Sequence, residues 1–161
     1  MKTKLFSKEE CDGIIQYCED IDKWDIVVGE GLSYKIVLYP SQGNTSEKII
    51  KYVEDNLKLK VLNPNIAVIK YFEGDFFGRH YDRKPSSEFN KDFLYNVNLR
   101  LNDNYEGGQF YLRDEPFYAE VGDVYHYKSS DWHEVKPVTN GVKYTALFYI
   151  RERDLVTNKI I

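Results

Sequence analysis

The sequence predicts a mainly β chain of the α+β class, a sandwich or barrel of short strands preceded by two helices. Three observations carry this. Strand-like runs recur after Asn63-Pro64, at 65–72, 94–101, 109–112, 117–121, 124–127, 133–138 and 143–151, with Gly and Asn/Asp turns between them. Apolar residues at helical spacing occur in two places only, both before residue 60. Aromatic content is 16%, with fourteen tyrosines, which suits pleated, half-buried surfaces better than a helical bundle.

The elements follow in order. Ser7-Lys8-Glu9-Glu10 reads as a capping box, with the serine oxygen meeting the amide three residues on and Glu10 returning the bond. Cys11, Ile14, Ile15, Cys18 and Ile21 then mark the buried face of a helix over 8–22. Cys11 and Cys18 share that face and read as buried free thiols. Strands are expected at 25–28 and 34–39, separated by Gly29 and Gly31, and 40–44 is a turn. Thr45 or Ser46 is placed to cap a second helix carrying Ile49, Ile50, Val53 and Leu57. The longest polar break, 83–92, reads equally as a substrate lid or a plain surface loop.

At 161 residues the chain is expected to form a single domain, with a helical part over 1–62 and a core barrel over 65–153. A net charge of −4 argues against a broad nucleic-acid surface, and Arg79, Arg83 and Lys84 read as a solvated loop. The first residues lack the apolar run of a secretory signal, and no stretch approaches a membrane span, so a cytoplasmic location is expected.

Chemistry concentrates in His80-Tyr81-Asp82, His133 and Lys143. Two imidazoles and a carboxylate make the facial triad of non-haem Fe(II), which leaves positions open for reaction partners. His80 and Asp82 alternate on an extended segment and so share a face. Lys143 reads from the residues alone as a solvent-facing lysine on an edge strand; if it is buried, a lone ammonium is costly unless paired, which would suit it to hold the far carboxylate of a dicarboxylic co-substrate. His126, the third histidine, reads as packing; Tyr127 and Trp132 read as core.

Four segments extend the pattern: Tyr71-x-x-Gly74-x-x-Phe77-x-x-His80-x-Asp82, Glu106-Gly107-Gly108-Gln109-Phe110, Gly122-Asp123-Val124, and His133 through Lys143-Tyr144. In this order they resemble the prolyl 4-hydroxylase type of 2-oxoglutarate/Fe(II)-dependent dioxygenases, over residues 65–153. The resemblance implies a double-stranded β-helix, or jelly roll, with the helices packed on one sheet. It implies His80, Asp82 and His133 as metal ligands and catalytic centre, Lys143 as anchor of the 5-carboxylate of 2-oxoglutarate, and Tyr71 and Arg151 as further co-substrate contacts. Gly107-Gly108 would supply backbone freedom without contact. Arg100 departs from the family, which often has an aromatic hydroxyl there. The implied reaction consumes 2-oxoglutarate and O2, with ascorbate as reductant, releases succinate and CO2, and hydroxylates an unactivated C–H bond, that of a prolyl residue in a peptide or protein. The same chemistry on a free amino acid, small metabolite or nucleobase stays open, as does a non-catalytic binding module on the same fold.

Overall fold

A computed structural model describes residues 2–156. Helix α1 (Lys8–Ile21) starts at the expected box: Ser7 Oγ accepts from the Glu10 amide and Glu10 Oε1 accepts from the Ser7 amide, each at 3.0 Å. Replacing Ser7 by Ala is expected to cost about 1 kcal/mol of stability, measured by chemical denaturation. Helix α2 (Asn44–Leu57) is also present, but its cap is not the expected one. Gly43 occupies the N-cap without a side-chain bond, and the Ser46 hydroxyl donates instead to the Pro40 carbonyl. Among the described residues no helix is long and apolar enough to cross a membrane.

Eleven strands join in one antiparallel, curled sheet. One layer runs β1 (Lys2–Lys4), β10 (Asp123–Lys128), β6 (Phe93–Arg100), β13 (Lys143–Arg151), β4 (Ile66–Tyr71) and β3 (Leu32–Tyr39), with β2 (Asp25–Gly29) also on β3. The second runs β5 (Phe76–His80), β11 (His133–Val135), β8 (Phe110–Leu112) and β9 (Glu115–Pro116). Strand β3 serves both: Lys35–Tyr39 pair with β4, while Leu32 and Ser33 pair with β5. This shared strand folds the sheet over itself into the expected jelly roll. A separate pair, β7 (Tyr105–Gly107) with β12 (Val138–Gly141), closes one end.

The period-2 alternation of the central strands sorts side chains between core and cleft. Val97 and Leu99 of β6 and Ala146, Phe148 and Ile150 of β13 face the helices, packing with Phe6, Cys11, Ile14, Cys18, Ile49 and Val53. Each such buried aliphatic side chain contributes about 1.5–3 kcal/mol. Both cysteines are free and buried, as expected. The alternate residues of the two strands, Asn98 and Arg100 on β6 and Lys143, Thr145, Leu147 and Tyr149 on β13, line the cleft between the layers.

Two expected strands are not formed as read. Residues 117–121 are not a strand, because side chains take the backbone groups a ladder would use. Gln109 donates to the Phe117 carbonyl, Arg100 donates to that of Ala119, and the Glu120 amide donates to Asp123. The run 133–138 is two strands, since Pro137 has no amide to donate and the chain leaves β5 and β8 there to join β7. Strands β1, β5, β7 and β9 lie outside the expected runs; β5, Phe76-Phe77-Gly78-Arg79-His80, has two adjacent aromatics and a central glycine and so shows no period-2 alternation.

Candidate metal centre and co-substrate cleft

His80 ends β5 and His133 begins β11, and the two are cross-strand partners. Asp82 lies just beyond His80, where its amide and that of Arg83 both donate to the Ser129 carbonyl, at 2.8 and 2.9 Å. This turn carries the carboxylate back toward the imidazoles. Donor atoms of the three residues lie within 4.8 Å of one another. His133 Nε2 is 3.0 Å from Asp82 Oδ2, and His80 Nε2 is 3.6 Å from Asp82 Oδ1.

Both rings are oriented from behind. His80 Nδ1 faces the Gly78 carbonyl at 2.6 Å and His133 Nδ1 faces the Asp131 carbonyl at 2.9 Å. A carbonyl only accepts, so each Nδ1 carries the proton and each Nε2 of a neutral ring presents a lone pair. His80 also stacks on Phe77, with ring centroids 3.6 Å apart. Burial, then the neighbouring His133, pushes the His80 pKa down to about 4, so this ring is neutral at neutral pH. For Asp82, burial would raise the pKa, but the adjacent His133 and His80 imidazoles and the bond from Asn96 outweigh it and hold the carboxyl below its usual range.

Two imidazole nitrogens and a carboxylate therefore converge on one point. A single metal cation would engage all three donors at once. Cis donors on an octahedral ion with bonds of about 2.1 Å stand about 3 Å apart, close to the separations found. The residues present fit a single ferrous ion.

Deeper in the cleft, Lys143 is 6% exposed on β13, a central strand, and not on an edge. Its ammonium donates to the Gly108 carbonyl at 2.6 Å and lies over the rings of Tyr105 and Tyr71 at 5.8 and 5.9 Å. Among the described residues no carboxylate pairs with it. Burial, then the nearby Arg100, pushes its pKa down to about 7. Gly107 and Gly108, at φ 74° and 63°, turn the chain so that the Gly108 carbonyl reaches this ammonium; the pair thus makes a contact beyond its backbone freedom. A Cβ on Gly107 would stand 2.5 Å from the Pro137 carbonyl oxygen.

Tyr71, the cross-strand partner of Lys143, is buried and lines the cleft, its phenol pKa pushed upward by burial. Arg151 is not brought there. It forms two bonds to Asp154 three residues on, at 2.6 and 3.1 Å, and that local carboxylate captures it. The basic residue that does line the cleft is Arg100, its Nε on the Asn102 carbonyl at 3.0 Å and its guanidinium over Tyr105.

Trp132 is 43% exposed, contrary to its expected core position, because it packs edge-on against Tyr81, which stands between His80 and Asp82 in the chain, and under Arg79. Tyr127 is buried against His133, and His126 packs under α2 with the Tyr52 hydroxyl 2.8 Å from its Nδ1. Segment 83–92 is tied down by Arg153, which bonds to Asp92 and to the carbonyls of Glu88 and Phe89. Those anchors favour a fixed loop over a lid.

Residues 66–151 match the model of the 2OG-Fe(II) oxygenase superfamily, where 2OG is 2-oxoglutarate. The chain belongs to this superfamily. A PKHD-type hydroxylase of Acinetobacter baumannii is 32% identical over 129 residues, which cover 70% of this chain and 56% of the relative; the chain thus spans little more than half of that protein's length. In fold, the superfamily member resembles the viral collagen prolyl hydroxylase of Paramecium bursaria Chlorella virus-1, solved as a 2OG complex, with a TM-score of 0.74, 18% identity and 94% of each chain covered. It is equally similar to a prolyl-4-hydroxylase of Pseudomonas putida, with a TM-score of 0.74, 16% identity, and 94% of this chain and 92% of that one covered.

Asn96, Ser129 and Tyr105 escaped the sequence reading. A signal for the first was present: Asn96, Asn98 and Arg100 are polar at every second position of an otherwise apolar strand, which marks a buried polar face.

Proposed function

We infer that this chain is an Fe(II)- and 2-oxoglutarate-dependent hydroxylase acting on a prolyl residue of a peptide or protein. The observation that carries the reaction class is the union of the His80/Asp82/His133 donor set with a buried Lys143 that no carboxylate of the described residues pairs with, in one cleft. The prolyl acceptor is supported by the kind of proteins the chain is similar to in sequence and fold.

In this reading His80, Asp82 and His133 would hold Fe(II) at the cleft. When bound there, Fe(II) with 2-oxoglutarate and O2 supplies the oxidation, with release of succinate and CO2 and transfer of one oxygen to a C–H bond. The chain's own part is placement. Lys143 pairs with the 5-carboxylate, ending the cost of its unpaired charge, and Tyr71 offers its hydroxyl to the same group. Ile69, Phe77, Leu147 and Val135 line the cleft with hydrocarbon, which excludes water around the reacting atoms. Tyr81 and Trp132, packed edge-on on each other and next in the chain to His80, Asp82 and His133, would present aromatic surface to the acceptor.

The test is succinate release from the full chain with Fe(II), ascorbate and 2-oxoglutarate, with and without a proline-rich peptide. Stimulation by the peptide, with one oxygen added to its mass, is expected. Stimulation only by free proline or a nucleoside would move the acceptor to small molecules, and absence of any succinate would overturn the reaction class.

A further inference from the structure

Behind the donor set lies a polar chain that touches no solvent. Asn96, on β6, is 0% exposed, and its side-chain amide donates to Asp82 Oδ2 at 2.6 Å. Its orientation is fixed by Ser129, also 0% exposed, whose hydroxyl donates to Asn96 Oδ1 at 2.7 Å. The acceptor end of the amide is thereby committed to Ser129, so the donor end must face Asp82. Ser129 acts twice, because its carbonyl also accepts from the Asp82 amide at 2.8 Å. One residue at the end of β10 thus sets both the backbone position of Asp82 and, through Asn96, the rotation of its carboxylate.

We propose that Asn96 and Ser129 are positioning residues that lock the Asp82 carboxylate in a single rotation for the metal; this rests on the metal-centre reading above. A free carboxylate turns about its Cβ–Cγ bond and can offer one oxygen or both. The Asn96 bond occupies a lone pair of Oδ2, holds the plane, and disfavours capture of the ion by both oxygens. A bond of this kind, made by a fully buried amide, is strong because the local dielectric is low.

The experiment is titration of the full-length, metal-free protein with Co(II), following affinity and the ligand-field absorption of the bound ion, with thermal unfolding of the metal-free protein as the folding control. Asn96→Leu keeps much of the side-chain volume and removes the donor. It is expected to weaken Co(II) binding by about tenfold to hundredfold and to alter the absorption envelope. Ser129→Thr and Ser129→Val carry nearly the same added bulk and differ in the hydroxyl. The threonine variant is expected to bind Co(II) more tightly than the valine variant and to keep the native spectrum. A folded Asn96→Leu protein with affinity within about twofold of native and an unchanged spectrum overturns the proposal, as does equal binding by the two Ser129 variants. Absence of Co(II) binding by the native protein would overturn the metal centre itself, which separates the two failures.

Discussion

His133→Ala, His80→Ala and Asp82→Ala are each expected to lower hydroxylation by on the order of a thousandfold or more, because groups acting as one unit fail together. The expected cause is loss of the ion, so each variant should also lose Co(II) affinity in a direct titration. The fold should survive. Asp82→Asn is the sharpest form, since it keeps the shape and removes the charge that offsets the cation. Chelation of the native protein should abolish turnover, and added Fe(II) should restore it. A variant with native turnover would remove that residue from the ligand set.

Lys143→Met is expected to have opposite effects on co-substrate binding and on the unliganded fold. Without the ammonium, the 5-carboxylate loses a charge-assisted bond worth about 1.5–3 kcal/mol, which corresponds to roughly a tenfold to hundredfold rise in the 2-oxoglutarate requirement. Isothermal titration of 2-oxoglutarate into the Mn(II)-loaded protein measures this apart from turnover. In the unliganded protein the native ammonium is buried with no carboxylate partner among the described residues, so methionine should raise the unfolding temperature.

The pH dependence has a defined sign. The folded-state pKa of Lys143, about 7, lies below its ordinary value of 10.5. Between these values the unfolded chain holds more protons, so the unliganded protein gains stability as pH rises through that window. Below about 7 the cost of the buried charge is fully present. Binding of the dicarboxylate restores the proton, so native affinity should fall as pH rises above about 7, and Lys143→Met should lose that slope. A 2-oxoglutarate affinity unchanged by the substitution, at any pH, would remove Lys143 from the cleft's function.

Local rules were enough for several features. The Ser7/Glu10 box, the thiol face of α1 and the course of β13 each depend on neighbours within a turn or on strict alternation, and all three are found as read. The His80, Asp82 and His133 grouping was legible for a different reason: histidine is scarce in this chain, and the residues come with a recognisable set of surrounding segments. Legibility stopped where a distant group competes for the backbone. Arg100 and Gln109 claim carbonyls in 117–121, and nothing in that run's own composition announces it. Arg151 failed for a related reason, a carboxylate three residues on that outcompetes a cleft elsewhere.

Residue chemistry by itself determined which groups are able to bind a cation or a dicarboxylate, and the alternation that puts Lys143, Thr145 and Leu147 on one side of a strand. Only the folded sheet decided that Asp82 turns back onto Ser129, that Asn96 stands behind it, and that Lys143 is sealed from water with Arg100 nearby. Those outcomes come from strands far apart in sequence packing face to face. Hydrogen-bond partners and local dielectric belong to that packing, and a one-dimensional pattern does not contain it.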